Sequence, residues 1–396
     1  MMASAKPDCT TAADCSYNGH CVASGTCLCL SQWRGPRCET LNLLPANKNA
    51  GYQSPHGKPT NKTSSWGGSI LFDDSDGKWH MFAAEMAAEC GIDYWEPNSR
   101  VVHAVSDAAD GPFTYSATVM QPFAHEPNAV RAPDGSWVIY MTLRHPSGPL
   151  FNCSGHKAMV AKRTRSMPPR GPPPPRHTYM VHAASPYGPW SSPKLVLRAN
   201  TSIWDNRTVL IDTNLAVAIL PDHSVVGIWR KCENPRGTVC EAQCCTFPHL
   251  LTATDWRRPS TYHPHSDTRI FGGVKAYGAE DPMLWLQPRA TNEAPGRAGE
   301  AQGRTGVHAS YAGPADGLTR GQWTRGQPPE EPPPDVHAPL PPIVHAILHD
   351  EQGPERCTAI GRHAFSDDLG ATWTYATDDA YNGSVAWTLS SGGGRA

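Results

Sequence analysis

The chain has 396 residues, a formal net charge of −2 and a hydrophobic fraction of 39%. This length allows more than one small domain, and a near-neutral chain without a basic stripe argues against a nucleic-acid partner. No apolar run approaches the roughly 20 residues that cross a bilayer, so no membrane span is predicted.

The 13 cysteines indicate where the protein works. Thiols in such number are disfavoured in the reducing cytosol, so we expect a secreted, lumenal or cell-surface protein. Five sequons predict a glycoprotein, at Asn61, Asn152, Asn200, Asn206 and Asn382. The opening residues "MMASAKPDC" contain no apolar signal segment. Either the natural start lies upstream of this sequence or the inferred compartment is wrong, and we favour the first.

Six of the cysteines follow the spacing C-x5-C-x5-C-x5-C-x-C-x8-C between Cys9 and Cys38. A segment of about 30 residues buries too little apolar surface to fold by itself. Three disulfide bonds would supply the missing stability. Six cysteines allow 15 pairings, and spacing alone does not choose among them. The other seven cysteines, from Cys90 to Cys357, stay unassigned.

This spacing, with Trp33 and Gly35 in "CLCLSQWRGPRC", resembles the epidermal-growth-factor-like module. The resemblance implies that residues 9–39 form such a module, through which a protein partner can bind. It implies the pairs Cys9–Cys21, Cys15–Cys27 and Cys29–Cys38. The calcium-binding acids of that module do not precede Cys9, so no calcium is predicted there. A different six-cysteine knot is the alternative.

Beyond a linker at residues 40–60, two patterns alternate along the chain. A strand, an Asp-containing turn and a second strand, as in "SILFDDSDGKWHMFAAEM", precede a strand, a polar turn and an aromatic residue. The second pattern begins at Val101, Val181, Leu251 and Arg362. Both are typical of hairpins, and two hairpins make a four-stranded sheet. Four such sheets arrayed radially predict an all-β fold, a β-propeller over residues 61–396.

Two proline-rich inserts interrupt the repeat, at residues 163–177 and 287–342. They lack periodic apolar residues, so we expect them to be disordered. A structureless insert as long as the second one is unusual in a hairpin, and an unspliced intron is the alternative. The final "AYNGSVAWTLSSGGGRA" is interpreted as a connection into a fifth blade that the sequence does not contain.

The repeats, with "WGGSILFDD", "SDAADGPF" and "GAEDPMLW", resemble the five-bladed propeller of glycoside hydrolase family 43 over about residues 60–385. The resemblance implies a sugar in a funnel at one end of the central channel. It also implies three carboxylates on innermost strands and hydrolysis with inversion. One carboxyl protonates the leaving oxygen while the other activates water. No cofactor or metal is predicted, and nothing indicates the channel calcium that this fold can hold.

Glu280 matches the general acid of that family, because "EDP" stands in place of its Glu-Gly-Pro motif. Pro282 is expected to bias Asp281 toward an extended conformation, so that Asp281 mainly shapes the turn. The first-blade base of the family lies in an Asp-Pro step, and Gly67 and Gly68 stand there instead.

Asn214 occupies the position of the middle acid of the family, and Asp212 lies two residues earlier on the same strand face. Glu126 takes the corresponding place in the second blade. The predicted catalytic residues are therefore Glu280, Asp212 and Glu126. The predicted substrate-binding residues are His125, Asn128, Asn214, Asp281, Trp66 and Trp285. For the two tryptophans, packing within the blades is the alternative.

These residues predict a secreted carbohydrate-active protein that acts on or binds a glycan in the funnel. The leading hypothesis is an inverting glycoside hydrolase. The alternative is a non-catalytic, lectin-like or adhesion protein that has lost the first-blade base, and the absence of that carboxylate favours it. A third interpretation is a truncated gene product, because a propeller normally closes its first blade on its last.

Overall fold

A computed structural model describes residues 9–47, 50–55, 64–144, 150–153, 176–198, 211–232, 246–270, 280–289, 340–351, 359–381 and 387–388. Almost all regular elements in these ranges are strands, numbered β1 to β23 in chain order. The short helices are a turn of α-helix, α1 at Trp95–Asn98, and 3-10 turns at Ala13–Cys15, Ile92–Tyr94 and Pro259–Thr261. None of the helices in the described residues is long and apolar enough to cross a membrane.

Sixteen of the strands form the four sheets of a propeller, in which each sheet begins at its innermost strand and continues outward in chain order. The first blade contains β7 (Ser65–Asp73), β8 (Lys78–Met86), β9 (Ser99–Ser106) and β10 (Phe113–Met120). The second contains β11 (Ala124–Arg131), β12 (Trp137–Arg144), β13 (Arg176–Ala183) and β14 (Lys194–Leu197). The third contains β15 (Ile211–Ile219), β16 (Val225–Cys232), β17 (Thr246–Ala253) and β18 (His263–Arg269). The fourth contains β19 (Glu280–Gln287), β20 (Ile343–Glu351), β21 (Ala359–Ser366) and β22 (Thr374–Tyr375).

Neighbouring blades pack face to face, because side chains alternate between the two faces of each strand. On β11, Ala129 packs against the first blade while Val130 packs against the core between the second and third blades. The innermost strands also touch in order, β7 with β11, β11 with β15 and β15 with β19. The structure confirms the predicted all-β propeller, with four blades in the described residues.

The N-terminal residues form a small disulfide module at residues 9–39. Its disulfide bonds join Cys9 to Cys21, Cys15 to Cys27 and Cys29 to Cys38, which are the pairs implied by the resemblance. Its strands are β1 (Gly19–Cys21), β2 (Cys27–Cys29) and β3 (Trp33–Arg34). A fourth disulfide, between Cys90 and Cys153, fastens the segment after β8 to the segment after β12.

The disulfide module packs on the face of the fourth blade that points away from the third. Trp33 stacks on Trp285 with ring centroids 6.3 Å apart and contacts the ring of His363 at 4.9 Å. The ring of Tyr17 meets Phe365 edge-on at 5.2 Å. The module therefore covers the face on which a following blade would pack.

The segment that was expected to be a linker carries three short strands in its described part. These are β4 (Thr40–Leu41), β5 (Ala46–Asn47) and β6 (Tyr52–Gln53). Strand β4 pairs with β3 of the module, and β6 pairs in parallel with β10, the outer strand of the first blade. Strand β5 pairs in parallel with β23 (Trp387–Thr388). This segment is thus joined to both ends of the propeller.

The two predicted inserts fall almost wholly outside the described residues. Where their ends are described, the backbone is ordered: Arg176 and His177 begin β13, and Gln287 ends β19. The rest of the predicted inserts, residues 163–175 and 290–339, lies outside the described part of the chain.

Candidate functional site at the channel mouth

Each innermost strand carries a β-bulge at the same level. The pairing with the second strand of the blade shifts between Trp66 and Ser69, His125 and Asn128, Asp212 and Ala216, and Glu280 and Met283. A bulge re-aims side chains and is over-represented next to active sites. The shift spans three residues in the first, second and fourth blades, which makes Trp66, His125 and Glu280 equivalent. In the third blade it spans four residues, so Asp212 is out of this register.

The first residue inside the bulge has a left-handed backbone in three of the blades. These residues are Gly67, Glu126 and Asp281, with φ values of 59°, 48° and 47°. Glycine is the usual residue at such a position, because a side chain there is strained by roughly 1–2 kcal/mol. The second and fourth blades place carboxylates where the first has glycine. Non-glycine residues held in such conformations cluster at functional sites.

Asp281 is therefore the counterpart of Glu126. The sequence predicted an extended Asp281 before Pro282, and this is wrong because the bulge imposes the left-handed conformation. In the second and fourth blades the next residue is a proline, Pro127 or Pro282. Proline suits this position because a bulge leaves one backbone N–H outside the ladder. Glu280 lies one residue earlier, at the start of β19, and Asp212 lies in β15, but the side chains of both fall outside the described residues.

Asp281 is held by groups from two blades. One carboxylate oxygen accepts a hydrogen bond of 2.8 Å from the side-chain amide of Asn214. The other lies 3.7 Å from Nδ1 of His349, and the side chain is 30% exposed. Asn214 is buried, and its amide oxygen has no hydrogen-bond partner among the described residues. The carboxylate is thus oriented on its inner side and accessible on its outer side.

Glu126 lies beside a histidine and beside Gly67. Its carboxylate lies 3.6 Å from Nε2 of His125. The His125 ring stacks on Trp95 at 4.7 Å, and its Nδ1 lies 2.7 Å from the hydroxyl of Ser99, which fixes the ring. A Cβ atom added to Gly67 would lie 3.7 Å from Cγ of Glu126, so the glycine leaves room beside this side chain.

Two of the predicted substrate-binding residues have other partners. The amide oxygen of Asn128 accepts a hydrogen bond of 3.1 Å from the backbone N–H of Val217, which ties the second blade to the third. Ser69 does the same for Ala129 between the first and second blades, at 2.9 Å. Trp285 stacks on His345 and Trp33 beneath the disulfide module. These contacts are structural, whereas His125, Glu126, Asn214 and Asp281 belong to the bulges.

Sequence reasoning missed His349 and Ser99, and it did not place Trp95 against His125. Each reaches the site from a neighbouring strand or from α1, so its place depends on strand register rather than on any motif. The pairing of Glu280 with His349 across β19 and β20 is what brings the histidine to Asp281.

Two groups of side chains in the described residues have spacings that would suit a metal ion. One consists of Cys9, Cys15 and Cys27, whose sulfurs are committed to disulfide bonds. The other consists of Asp73, Asp76 and His80 at the β7–β8 turn. Asp73 and Asp76 accept backbone hydrogen bonds from Ser75 and Lys78 within that turn, as acids in turns commonly do. Neither group lies in the bulges.

No family model matches the chain, and no curated protein matches it. Solved structures with a similar fold include a protein of unknown function from Dyadobacter fermentans, at 11% identity and a TM-score of 0.47, covering 84% of this chain and 71% of that one. A family 117 glycoside hydrolase from Zobellia galactanivorans has 11% identity and a TM-score of 0.44, covering 84% and 73%. A thermostable family-43 glycoside hydrolase has 10% identity and a TM-score of 0.44, covering 82% and 78%. At these scores the likenesses carry no conclusion about function.

Proposed function

We propose that the channel mouth binds a glycan and hydrolyses it with Glu126 and Asp281. The carrying observation is that these two carboxylates occupy equivalent left-handed bulge positions on innermost strands of different blades. Hydrolysis of a glycosidic bond needs two carboxyl groups that flank it, one as acid and one as base or nucleophile. The bulges present two such groups at one level of the channel.

The surroundings favour different roles for the two carboxylates. Asp281 is oriented by Asn214 and faces His349, which suits a fixed base that positions a water molecule. Glu126 adjoins the space above Gly67, which suits an acid that must reach the leaving oxygen. Glu280 is the acid implied by the family resemblance, and it remains the rival to Glu126 for that role.

A non-catalytic, lectin-like protein is the second candidate. The observation that favours it is Gly67, because the first blade offers no carboxylate at the position equivalent to Glu126 and Asp281. The same mouth would then hold the sugar through Asn214, Asp281 and His125 without turnover.

The test is to incubate the protein with debranched arabinan, linear xylan, galactan and agarose, and to measure both binding and released sugar. Asp281→Asn should lower turnover by at least a hundredfold while binding persists, as expected when a general acid or base is removed. Glu126→Gln and Glu280→Gln identify the general acid. Of these two variants, only the one that removes the acid should lose turnover as strongly as Asp281→Asn. The matched control is Asp222→Asn, at the exposed β15–β16 turn.

Three outcomes are distinguished. Sugar release that falls in Asp281→Asn but not in Asp222→Asn supports the hydrolase. Binding without release in the wild type favours the lectin-like protein. Turnover that is equal in the wild type and in all three site variants would exclude these carboxylates.

We also propose that the protein is secreted or lumenal. The four disulfide bonds of the described residues support this location, and the sequon at Asn152 lies in an exposed segment. A protein partner of the epidermal-growth-factor-like module would have to avoid the docked Trp33 and use exposed residues of the module such as Leu28. Expression through a eukaryotic secretory pathway should give protein whose mass falls on enzymatic removal of N-glycans. An unchanged mass would count against the proposed location.

A further inference from the structure

Three polar side chains meet at the β7–β8 turn, at the other end of β7 from its bulge. Asp73, Asp76 and His80 each offer one ligand atom, and these atoms lie within 4.8 Å of one another. His80 is fully buried, Asp73 is 6% exposed, and the side chain of Asp76 is 27% exposed. The cluster is therefore closed on its inner side and reaches solvent at Asp76.

Asp73 is a buried acid whose carboxylate has few partners. Among the residues that the structure describes, this carboxylate accepts one hydrogen bond, of 3.1 Å from the backbone N–H of Ser75, and forms no ion pair. The ammonium group of Lys78 in the same turn is bound to Asp107, at 2.6 Å. Buried carboxylates are normally paired with a cation or bind a metal. A buried acid beside a second acid thus points to a bound cation.

His80 faces Asp76 at a distance that suits a shared ion. The Nε2 atom of His80 lies 3.3 Å from the Asp76 carboxylate, which is longer than the roughly 2.7–2.9 Å of a charge-assisted hydrogen bond. Two ligand atoms that hold one tetrahedral Zn²⁺ at about 2.1 Å are about 3.4 Å apart. The observed separation therefore matches two ligands of one ion.

The other ring nitrogen of His80 has the partner that a metal-binding histidine needs. Its Nδ1 lies 2.9 Å from Nε2 of His103, which is also buried. Burial, together with His80, lowers the pKa of His103 to about 4, so its ring is neutral at neutral pH and can accept a hydrogen bond. When Nδ1–H of His80 donates to His103, Nε2 of His80 keeps its lone pair for the ion.

The polarity of this cluster is not a requirement of the blade fold. Counted from the end of each bulge, the second and third blades have buried apolar residues at the positions of Asp73 and His80, namely Ala132, Leu220, Val138 and Val226. Those blades form the same hairpin without polar side chains at these positions. The acid and the histidine of the first blade therefore need a reason of their own.

We propose that Asp73, Asp76 and His80 bind a divalent transition-metal ion, for which Zn²⁺ is the best fit. Imidazole and carboxylate groups together suit Zn²⁺, two carboxylates balance its charge, and water completes the four ligands. Tyr187 of the second blade donates a hydrogen bond of 2.9 Å to the Asp76 carboxylate, so the ion strengthens the boundary between the first and second blades. The site is separate from the bulges and independent of the proposed function.

The test is a metal titration of the full-length chain after treatment with a chelator. Zn²⁺ should bind and raise the temperature of thermal unfolding, because the folded chain holds the three ligands together and the unfolded chain does not. Co²⁺ in place of Zn²⁺ should give the visible absorption of a tetrahedral ion, and this absorption should be lost in His80→Gln.

Asp73→Asn should weaken Zn²⁺ binding by about a hundredfold or more, since loss of even an outer partner of a metal ligand costs roughly 10–100-fold. Without metal this variant should be at least as stable as the wild type, because one of two neighbouring negative charges is removed. Tyr187→Phe, which removes the hydrogen bond to Asp76, should weaken binding about tenfold. The matched control is Asp74→Asn, an exposed acid of the same turn, which should keep the affinity of the wild type.

The variants separate the outcomes. A metal-dependent stabilisation that is lost in Asp73→Asn and kept in Asp74→Asn supports the site. Zn²⁺ that binds Asp73→Asn as tightly as the wild type is held elsewhere and overturns it. Equal weakening in Asp74→Asn would reduce the effect to the net charge of the turn, which also overturns it. Binding of Ca²⁺ in preference to Zn²⁺ would exclude His80 as a ligand, because Ca²⁺ takes oxygen ligands.

Discussion

The fourth blade is covered by different partners on its two faces. Toward the third blade it presents aliphatic side chains, Leu284, Val344, Ala346, Leu348 and Ala364. Toward the disulfide module it presents mainly rings, those of Trp285, His345, His363 and Phe365. Two blades share the same twist, so small aliphatic groups are enough to fill the space between them. The module has no large sheet, and broad rings fill the less regular space beside it.

The module also makes polar contacts with the fourth blade and the segment that follows it. The carboxylate of Glu39 in the module accepts hydrogen bonds from the backbone N–H groups of Thr377 and Asp378 and from the Thr377 hydroxyl. The side chain of Gln287 donates to the backbone oxygen of Tyr17 at 2.7 Å. Such directional hydrogen bonds fix the orientation of the module on the blade, which the repeated packing of blades on one another does not specify. Packing between blades therefore needs only small aliphatic side chains, whereas docking of the module depends on particular rings and hydrogen-bonding groups.

The largest expected effect comes from Trp33→Ala, which removes the ring that stacks on Trp285 and contacts His363. Truncation of a buried tryptophan costs about 3–5 kcal/mol. We expect the module to detach while the blades stay folded, seen as rapid proteolysis near residue 40 before any change in the propeller. Leu28→Ala, at an exposed position of the module, is the control. Equal proteolysis of both variants would contradict a docked module.

Leu348→Ala tests the aliphatic face. Leu348 is fully buried against the third blade, and its truncation should lower the free energy of unfolding by about 3 kcal/mol. Here the whole propeller should unfold in one step at a lower denaturant concentration, because neighbouring blades share that core. If only the module were released, the two faces would not differ as described.

Acid should loosen the module side of the blade. Burial lowers the pKa of His363 to about 3, and burial together with His363 lowers the pKa of His345 well below its ordinary value. Both histidines are then neutral when folded, while the unfolded chain takes up protons below about pH 6.5, so stability is full above that pH and falls as the pH drops. The aliphatic face carries no such groups among its described residues.

His363→Phe measures this effect. Between about pH 7.5 and about pH 5, the loss of unfolding free energy should be smaller in the variant by about 2 kcal/mol, the linkage expected for one histidine that titrates only when unfolded. His20→Gln, at an exposed position of the module, should keep the loss of the wild type. The same loss in all three proteins would show that these rings do not set the acid sensitivity.

The smallest effect is expected for Glu39→Gln. The amide keeps one acceptor oxygen for Thr377 but loses the charge that strengthens the three hydrogen bonds, a loss of about 1–2 kcal/mol. The free energy of unfolding of the wild type and the variant should be measured by chemical denaturation at low and high salt. The difference between them should shrink only slightly as salt increases, because Glu39 is buried. If Glu39→Gln were as stable as the wild type, the ring contacts between the module and the fourth blade would supply the docking energy alone.

Sequence patterns were sufficient for the repeats but not for the site. The alternation of strands and turns predicted four sheets, because each hairpin depends on local residues. The left-handed conformations of Glu126 and Asp281 depend on bulges that only strand pairing creates, and the proline after Asp281 pointed to the opposite conformation. The contact of Trp285 with the module joins residues far apart in sequence, so the sequence offered only packing within the blades or sugar stacking for its ring.

The docking of the module has a consequence for how the protein is made. The hydrogen bond from Tyr17 to Asp367 joins residues 350 positions apart, and Glu39 contacts residues 338 and 339 positions away. The module leaves the ribosome before its partner blade is translated. During synthesis Trp33 lacks its partners Trp285 and His363 while each blade folds on the one before it. Contacts of such long range form slowly, so we expect the nascent chain to depend on chaperones until the fourth blade is made and covers that ring.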